Sequence, residues 1–206
     1  MIINKKILAL APHFDDIELG CFATLHKLSS DNEIYYVGFS YSTYAKNKKL
    51  IDESVTRSVN MLSLTPEHLQ KFNYDPRDFD RSRNDILQNL YDLNKKIRPD
   101  LVIIPASSDI HQAHQVLHKE AVRIFKKASL WGYEMPWNNY TFIPHIFVPI
   151  SPISLKQKLK ATSSFPSHGK SSFMENGILK DLASLRGKQI GRQYAESFEL
   201  IRQIIE

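Results

Sequence analysis

The sequence lacks the features that mark several common protein classes. Its 206 residues include a single cysteine, Cys21, so no intramolecular disulfide can form and no cysteine-based zinc site can be built. No long hydrophobic run is present: the apolar stretch after Lys5 and Lys6 extends only from Ile7 to Ala11 before Pro12-His13 interrupts it. A secretory signal needs a longer apolar region and a membrane span needs about 20 such residues, so the expectation is a soluble cytoplasmic protein with no membrane partner. Charge of one sign is not concentrated either. The net charge is +5, from 27 basic and 22 acidic residues, and Lys46, Lys48 and Lys49 form the nearest approach to a basic block, read as a solvated loop. That balance gives no argument for a nucleic-acid partner and is compatible with an anionic small molecule. Repeats, low-complexity segments and linkers are also missing, so one domain over 1–206 is expected. The 42% apolar content is enough for a sizeable core.

What is present is an alternation of short apolar runs with amphipathic helical patterns. Ile7 to Ala11 reads as a buried strand, and Leu19, Phe22, Leu25 and Leu28 then recur at helical spacing over 17–28. Ile34 to Phe39 reads as a second strand. A helix over 50–64 presents Ile51, Val55, Val59 and Leu62, and Pro66 closes it. A short strand is expected around 69–72. Ile86, Leu87, Leu90, Leu93 and Ile97 mark a further helix, and Leu101 to Ile104 is the clearest strand in the chain. The alternation implies an α/β fold with a parallel sheet and crossover helices. Beyond it, 142–150 is expected to form β structure outside the central sheet. Helices are expected over 153–163 and, broken near Gly187 and Gly191, over 178–205.

Two loops concentrate the chemistry. Directly after the first strand stands His13-Phe14-Asp15-Asp16-Ile17-Glu18. The spacing lets His13 and Asp16 bind one metal ion from a single turn, leaving Asp15 to act as a base. Directly after the Leu101–Ile104 strand comes Ser107-Ser108-Asp109-Ile110-His111-Gln112-Ala113-His114. In a parallel sheet both loops emerge at the same edge, where open α/β sheets bind ligands. His13, Asp16 and one of His111 or His114 could therefore supply three ligands, with the fourth position open to water, as in a catalytic zinc site. The competing reading of the first loop is a helix N-cap cluster. His26, His68, His118, His145 and His168 have no comparable setting and are read as ordinary surface or core residues.

Together these stretches resemble the PIG-L/LmbE-like family of zinc-dependent N-acetylglucosamine deacetylases. His13-Phe14-Asp15-Asp16-Ile17-Glu18 matches that family's His-Pro-Asp-Asp-x-Glu with Phe for Pro, and His111-Gln112-Ala113-His114 stands at its His-x-Asp-His. The resemblance continues through Tyr133-Glu134-x-Pro136 and from Arg186-Gly187 to Tyr194-Ala195-Glu196-Ser197-Phe198. It implies a Rossmann-like three-layer sandwich with a mostly parallel central sheet. It also implies zinc, or another divalent metal, on His13, Asp16 and His114, a general base at Asp15, and His111 beside the reacting carbonyl. Ala113 replaces an Asp expected to hold a catalytic histidine, a loss worth about 10–100-fold where such supports have been removed. Ser167-His168 replaces a Ser-Gln common among relatives.

The reaction so implied is hydrolysis of the acetyl amide of a soluble amino sugar, with the basic balance favouring a nucleotide-linked one. Arg57, Arg81 and Arg83 are candidate anion contacts, and Tyr133 and Trp137 are candidates for stacking on a sugar ring. A homo-oligomer is compatible with the family. Rival expectations are a metal-dependent phosphoesterase and a sugar-binding relative disabled through Ala113.

Overall fold

Alternate residues of β1 (Lys6–His13) feed two different cores. Ile7, Ala9 and Ala11 join one apolar cluster, and Leu8 and Leu10 join another on the opposite face of the sheet. The same two-residue period divides β4 (Leu101–Pro105), with Leu101 and Ile103 on one side and Val102 and Ile104 on the other. Burial on both faces is why these strands read as unbroken apolar runs. The computed structural model describes residues 2–41, 48–166 and 177–205; Lys46, Ser167 and His168 lie outside them.

The other strands are β2 (Glu33–Ser40), β3 (Leu69–Tyr74), β5 (Ser129–Tyr133), β6 (Ile146–Pro149) and β7 (Ala195–Arg202). They form a 7-stranded sheet in the order β3-β2-β1-β4-β5-β7-β6. The first five are parallel, and β7 runs antiparallel to both of its neighbours. One face is covered by α1 (Asp16–Gly20), α2 (Phe22–Leu28), α3 (Lys48–Met61), α6 (Pro152–Ser163) and α7 (Ile178–Gln189), through residues such as Ile17, Phe22, Val55, Ala161 and Leu179. The other face is covered by α4 (Arg83–Ile97) and α5 (Gln112–Ile124), through Ile86, Leu90, Val116 and Leu117. The result is the expected single α/β domain of three layers. Among the described residues, no helix is long and apolar enough to cross a membrane.

Connections leave β1 toward β2 and β3 on one side, and the chain then returns to β4 on the other side. The carboxyl ends of β1 and β4 thus flank a topological switch point, the crevice where open α/β sheets take ligands.

Three expectations need correction. The first helix is interrupted: Cys21 adopts φ −145° and ψ 9° and separates α1 from α2. The neighbouring Gly20 lies so close to the Tyr133 ring that a Cβ there would stand 2.4 Å from a ring carbon. The β structure expected outside the central sheet is instead its edge strand β6, and β5, all five of whose residues are buried, was not anticipated. The terminal helical segment ends at Gln189, and 195–202 is the strand β7. Its buried polar residues are satisfied only by distant partners. Glu196 accepts from the backbone N–H groups of Ala23 and Thr24 and from Lys158 Nζ, and the Ser197 hydroxyl donates to Glu134. Local periodicity carries no trace of those contacts.

Candidate active site

β1 ends at His13, and the chain turns sharply into α1. The turn is made at Asp15, whose φ of 147° and ψ of −18° lie where residues bearing a side chain are rarely found; such positions cost of order 1–3 kcal/mol and cluster at functional sites. The next residue, Asp16, folds back on the strand end. Its Oδ2 accepts the His13 backbone N–H at 2.8 Å and lies 3.2 Å from His13 Nδ1. From the β4 side, His114 on the first turn of α5 brings Nε2 to 3.2 Å from the same oxygen and 3.3 Å from His13 Nδ1. Two imidazole nitrogens and one carboxylate oxygen therefore form a nearly equilateral triangle.

Those dimensions can be tested against a metal. Tetrahedral coordination with zinc-like bonds of about 2.0–2.1 Å sets neighbouring ligand atoms about 3.3–3.4 Å apart. The observed triangle has the edge of one such face, so the spacing of these three donors fits a divalent ion. His111 joins His13 and His114 in a looser group whose ring nitrogens lie within 4.8 Å of one another.

His111 is the N-cap of α5, and its Nδ1 accepts the Ala113 backbone N–H at 3.3 Å. The lone pair is thereby committed at Nδ1, which places the proton of the neutral ring on Nε2. The ring packs edge-on against His13, with centroids 4.8 Å apart. Ala113 itself is fully buried in the core under α5 and offers no carboxylate. The carboxylate in this loop is Asp109, which the sequence reading passed over. Its side chain is buried, Oδ2 accepts from His114 Nδ1 at 2.7 Å, and Oδ1 accepts the His111 backbone N–H at 2.9 Å. The available signal was an Asp placed two residues before a histidine at a helix start, the spacing at which an Asx turn forms.

The electrostatics of the site follow from this packing. Burial alone would raise the Asp16 carboxyl, but His114 and His13 outweigh it, as charges and as hydrogen-bond partners, and hold Asp16 well below the usual carboxylate range. Burial alone would lower His114, but Asp16 and Asp109 lift it far above an ordinary imidazole. Burial, with the charges of His114 and His13 adding to it, pushes His111 down to about 4. Glu18, the last motif residue, is fully buried under the Tyr36 hydroxyl, which donates to it; burial, with the Asp15 charge adding, raises its carboxyl to about 7.

The structure gathers His13, Asp15, Asp16, His111 and His114 at the switch point and leaves the other sequence candidates elsewhere or in other roles. Arg57 pairs with Glu53 at 3.5 Å on an exposed face of α3, and Arg81 lies 3.5 Å from Asp78 with its side chain largely in solvent. Arg83 is committed to the buried carboxylate of Glu120. Tyr133 is fully buried, with its hydroxyl donating to the Leu10 carbonyl, so its ring has no free face for a sugar. Trp137 is partly buried against the first core, on the loop whose Asn138 carbonyl accepts the Ile110 N–H beside the histidines. Phe14 packs its ring on Gly38 of β2 and lies 4.7 Å from the Tyr41 ring.

A Rossmann-like sheet that gathers two imidazole nitrogens and a carboxylate oxygen at its switch point, with Asp15 next in the chain, has a donor set compatible with metal-dependent hydrolysis. The chain belongs to the PIG-L family: the family profile described as GlcNAc-PI de-N-acetylase matches residues 8–125, spanning β1 through α5 and both histidine loops. It is accordingly an amidohydrolase of the deacetylase type. It is 28% identical over 171 residues to YaiS of Escherichia coli K12, an uncharacterized deacetylase, over 80% of this chain and 92% of that protein. N,N'-diacetylchitobiose deacetylase from Pyrococcus horikoshii superposes with a TM-score of 0.69 at 20% identity, over 96% of this chain and 84% of that one. GalB from Pseudomonas putida KT2440, a 4-carboxy-2-hydroxymuconate hydratase, superposes with a TM-score of 0.75 at 15% identity, over 98% of each chain. At these identities the two structures share the fold with this chain, and a hydratase among them means that fold alone does not assign the reaction.

Proposed function

We propose that this protein is a zinc-dependent hydrolase that removes the N-acetyl group from a soluble amino sugar in the cytoplasm, with a nucleotide-linked sugar favoured by its basic balance. The observation that carries the proposal is the triangle of His13 Nδ1, Asp16 Oδ2 and His114 Nε2, with edges of 3.2, 3.2 and 3.3 Å, in a chain of this family. When bound there, zinc supplies a Lewis acid that polarises a carbonyl and brings the pKa of water toward about 7.

The residues of the chain do the rest. Asp15 takes the proton of the attacking water, whose oxygen adds to the acetyl carbonyl carbon. Negative charge builds on the carbonyl oxygen, and His111 donates its Nε2–H to it as a neutral donor, the tautomer supported by the Ala113 N–H at Nδ1. Oxyanion contacts of this kind are worth about 3–4 kcal/mol where measured. The C–N bond then breaks, Asp15 returns the proton to the leaving nitrogen, and acetate and the free amine depart. A neutral donor needs no carboxylate behind it, so Ala113 is compatible with turnover.

The test is acetate release from a panel of N-acetylated sugars and nucleotide sugars, with the protein loaded with zinc or with other divalent metals. Asp15→Asn and Ala113→Asp variants run beside the wild type. Turnover in the wild type that is lost in Asp15→Asn supports the proposal. Turnover only in Ala113→Asp would mean a chain disabled at that position. Phosphate release without acetate would favour the phosphoesterase, and hydration of an unsaturated acid without acetate would favour the chemistry of the hydratase neighbour.

A further inference from the structure

We infer that Asp109 is the positioning residue for His111 and His114, a single buried carboxylate that orients His114 through its side chain and His111 through its backbone. The inference builds on the proposed metal site. The Asp109 side chain is fully buried, yet each of its oxygens has a defined partner. Oδ2 receives the His114 Nδ1–H at 2.7 Å, with Asn138 Nδ2 at 3.5 Å, and Oδ1 receives the His111 N–H at 2.9 Å.

Each contact has a consequence at the metal triangle. Holding the proton on Nδ1 of His114 leaves Nε2 as the nitrogen that can present a lone pair, and Nε2 is the atom 3.2 Å from Asp16 Oδ2. Holding the His111 N–H fixes the residue that starts α5, and with it the direction in which the first turn carries His114. Two backbone N–H groups of the loop are also tied down. Ile110 N–H donates to the Asn138 carbonyl, and Ser107 N–H donates to Glu199. With Ala113 contributing only a backbone N–H to His111, Asp109 is the carboxylate through which both histidines are set.

Asp109→Asn separates the two contacts. The asparagine keeps the side-chain size and one oxygen that can still accept from His111, but it places an NH2 group against the His114 Nδ1–H. Two donors then face each other, and His114 must move its proton to Nε2 or rotate away. Zinc affinity, measured by chelator competition, is expected to fall about 10–100-fold, while the circular dichroism of the metal-free protein stays that of the wild type. In NMR spectra the wild type should show a downfield, exchange-protected His114 Nδ1–H resonance, with or without zinc, that disappears in the variant. Absence of that resonance from the wild type would overturn the inference, as would zinc affinity within about twofold of wild type in Asp109→Asn. If the variant fails to fold, the wild-type resonance decides alone. A wild type that shows the resonance but binds no zinc would refute the proposed function and leave Asp109 as the residue that orients His114.

Discussion

Glu18 gives a physical prediction whose sign follows from its burial and whose rough size follows from a carboxyl raised to about 7. The side chain is fully buried, the Tyr36 hydroxyl donates to it, and its carboxyl is raised from 4.5 to about 7, by burial first and by the Asp15 charge in addition. Below pH 4.5 the group is protonated in both the folded and the unfolded chain and makes no difference to stability. Between 4.5 and 7 the unfolded chain releases its proton while the folded chain keeps it, so stability falls as pH rises. At about 1.4 kcal/mol per unit, the loss reaches about 3 kcal/mol by neutral pH and is constant beyond. Glu18→Gln keeps an acceptor for Tyr36 and cannot ionise. The variant should therefore match the wild type near pH 4.5 and exceed it by about 3 kcal/mol at pH 7.5. His111, lowered to about 4, contributes a slope of opposite sign, but it is common to both proteins and cancels in the difference. The assay is urea unfolding of chelator-treated protein at a series of pH values. A difference that is flat with pH, or a variant less stable than wild type at pH 7.5, would refute the reasoning.

Three further outcomes follow from other parts of the molecule. The buried Lys158–Glu196 pair is asymmetric, since Glu196 also accepts from the α2 N–H groups of Ala23 and Thr24; in urea unfolding, Glu196→Gln should cost about 3–5 kcal/mol and Lys158→Met clearly less. Zinc at about a hundred times its Kd should stabilise the wild type by about 3 kcal/mol and Asp16→Ala hardly at all, read by denaturation with and without the metal. In Gly38→Ala the new Cβ would meet the Phe14 ring at 2.1 Å; calorimetry should show a loss of about 1–3 kcal/mol, and because Phe14 follows His13, zinc titration should show weaker binding.

Much of the site was legible because it is local. His13, Asp15 and Asp16 lie within one turn of chain, and His111 and His114 within another, so residue type and spacing mark both loops. The strands that deliver them were legible for a related reason: burial on both faces leaves an unbroken apolar signature in Ile7 to Ala11 and Leu101 to Ile104. Asp109 was not legible, since a lone Asp in a Ser-Ser-Asp turn looks like any other until His114 is seen at 2.7 Å. The partners of Arg83 and Tyr133 were not legible either: Glu120 in one case and the Leu10 carbonyl in the other are both far away in sequence.

The sequence by itself determined the layered α/β architecture, the two loops rich in histidine and aspartate and their placement at strand ends, because periodicity and motif spacing are properties of neighbouring residues. Only the tertiary structure decided that β7 is a strand inserted between β5 and β6, that Glu196 can be buried there, and that the nitrogens of His13 and His114 close to 3.3 Å around one oxygen of Asp16. Those outcomes depend on partners brought together from distant parts of the chain. The energy that fixes them, desolvation offset by a particular donor or charge, exists only once the sheet has formed.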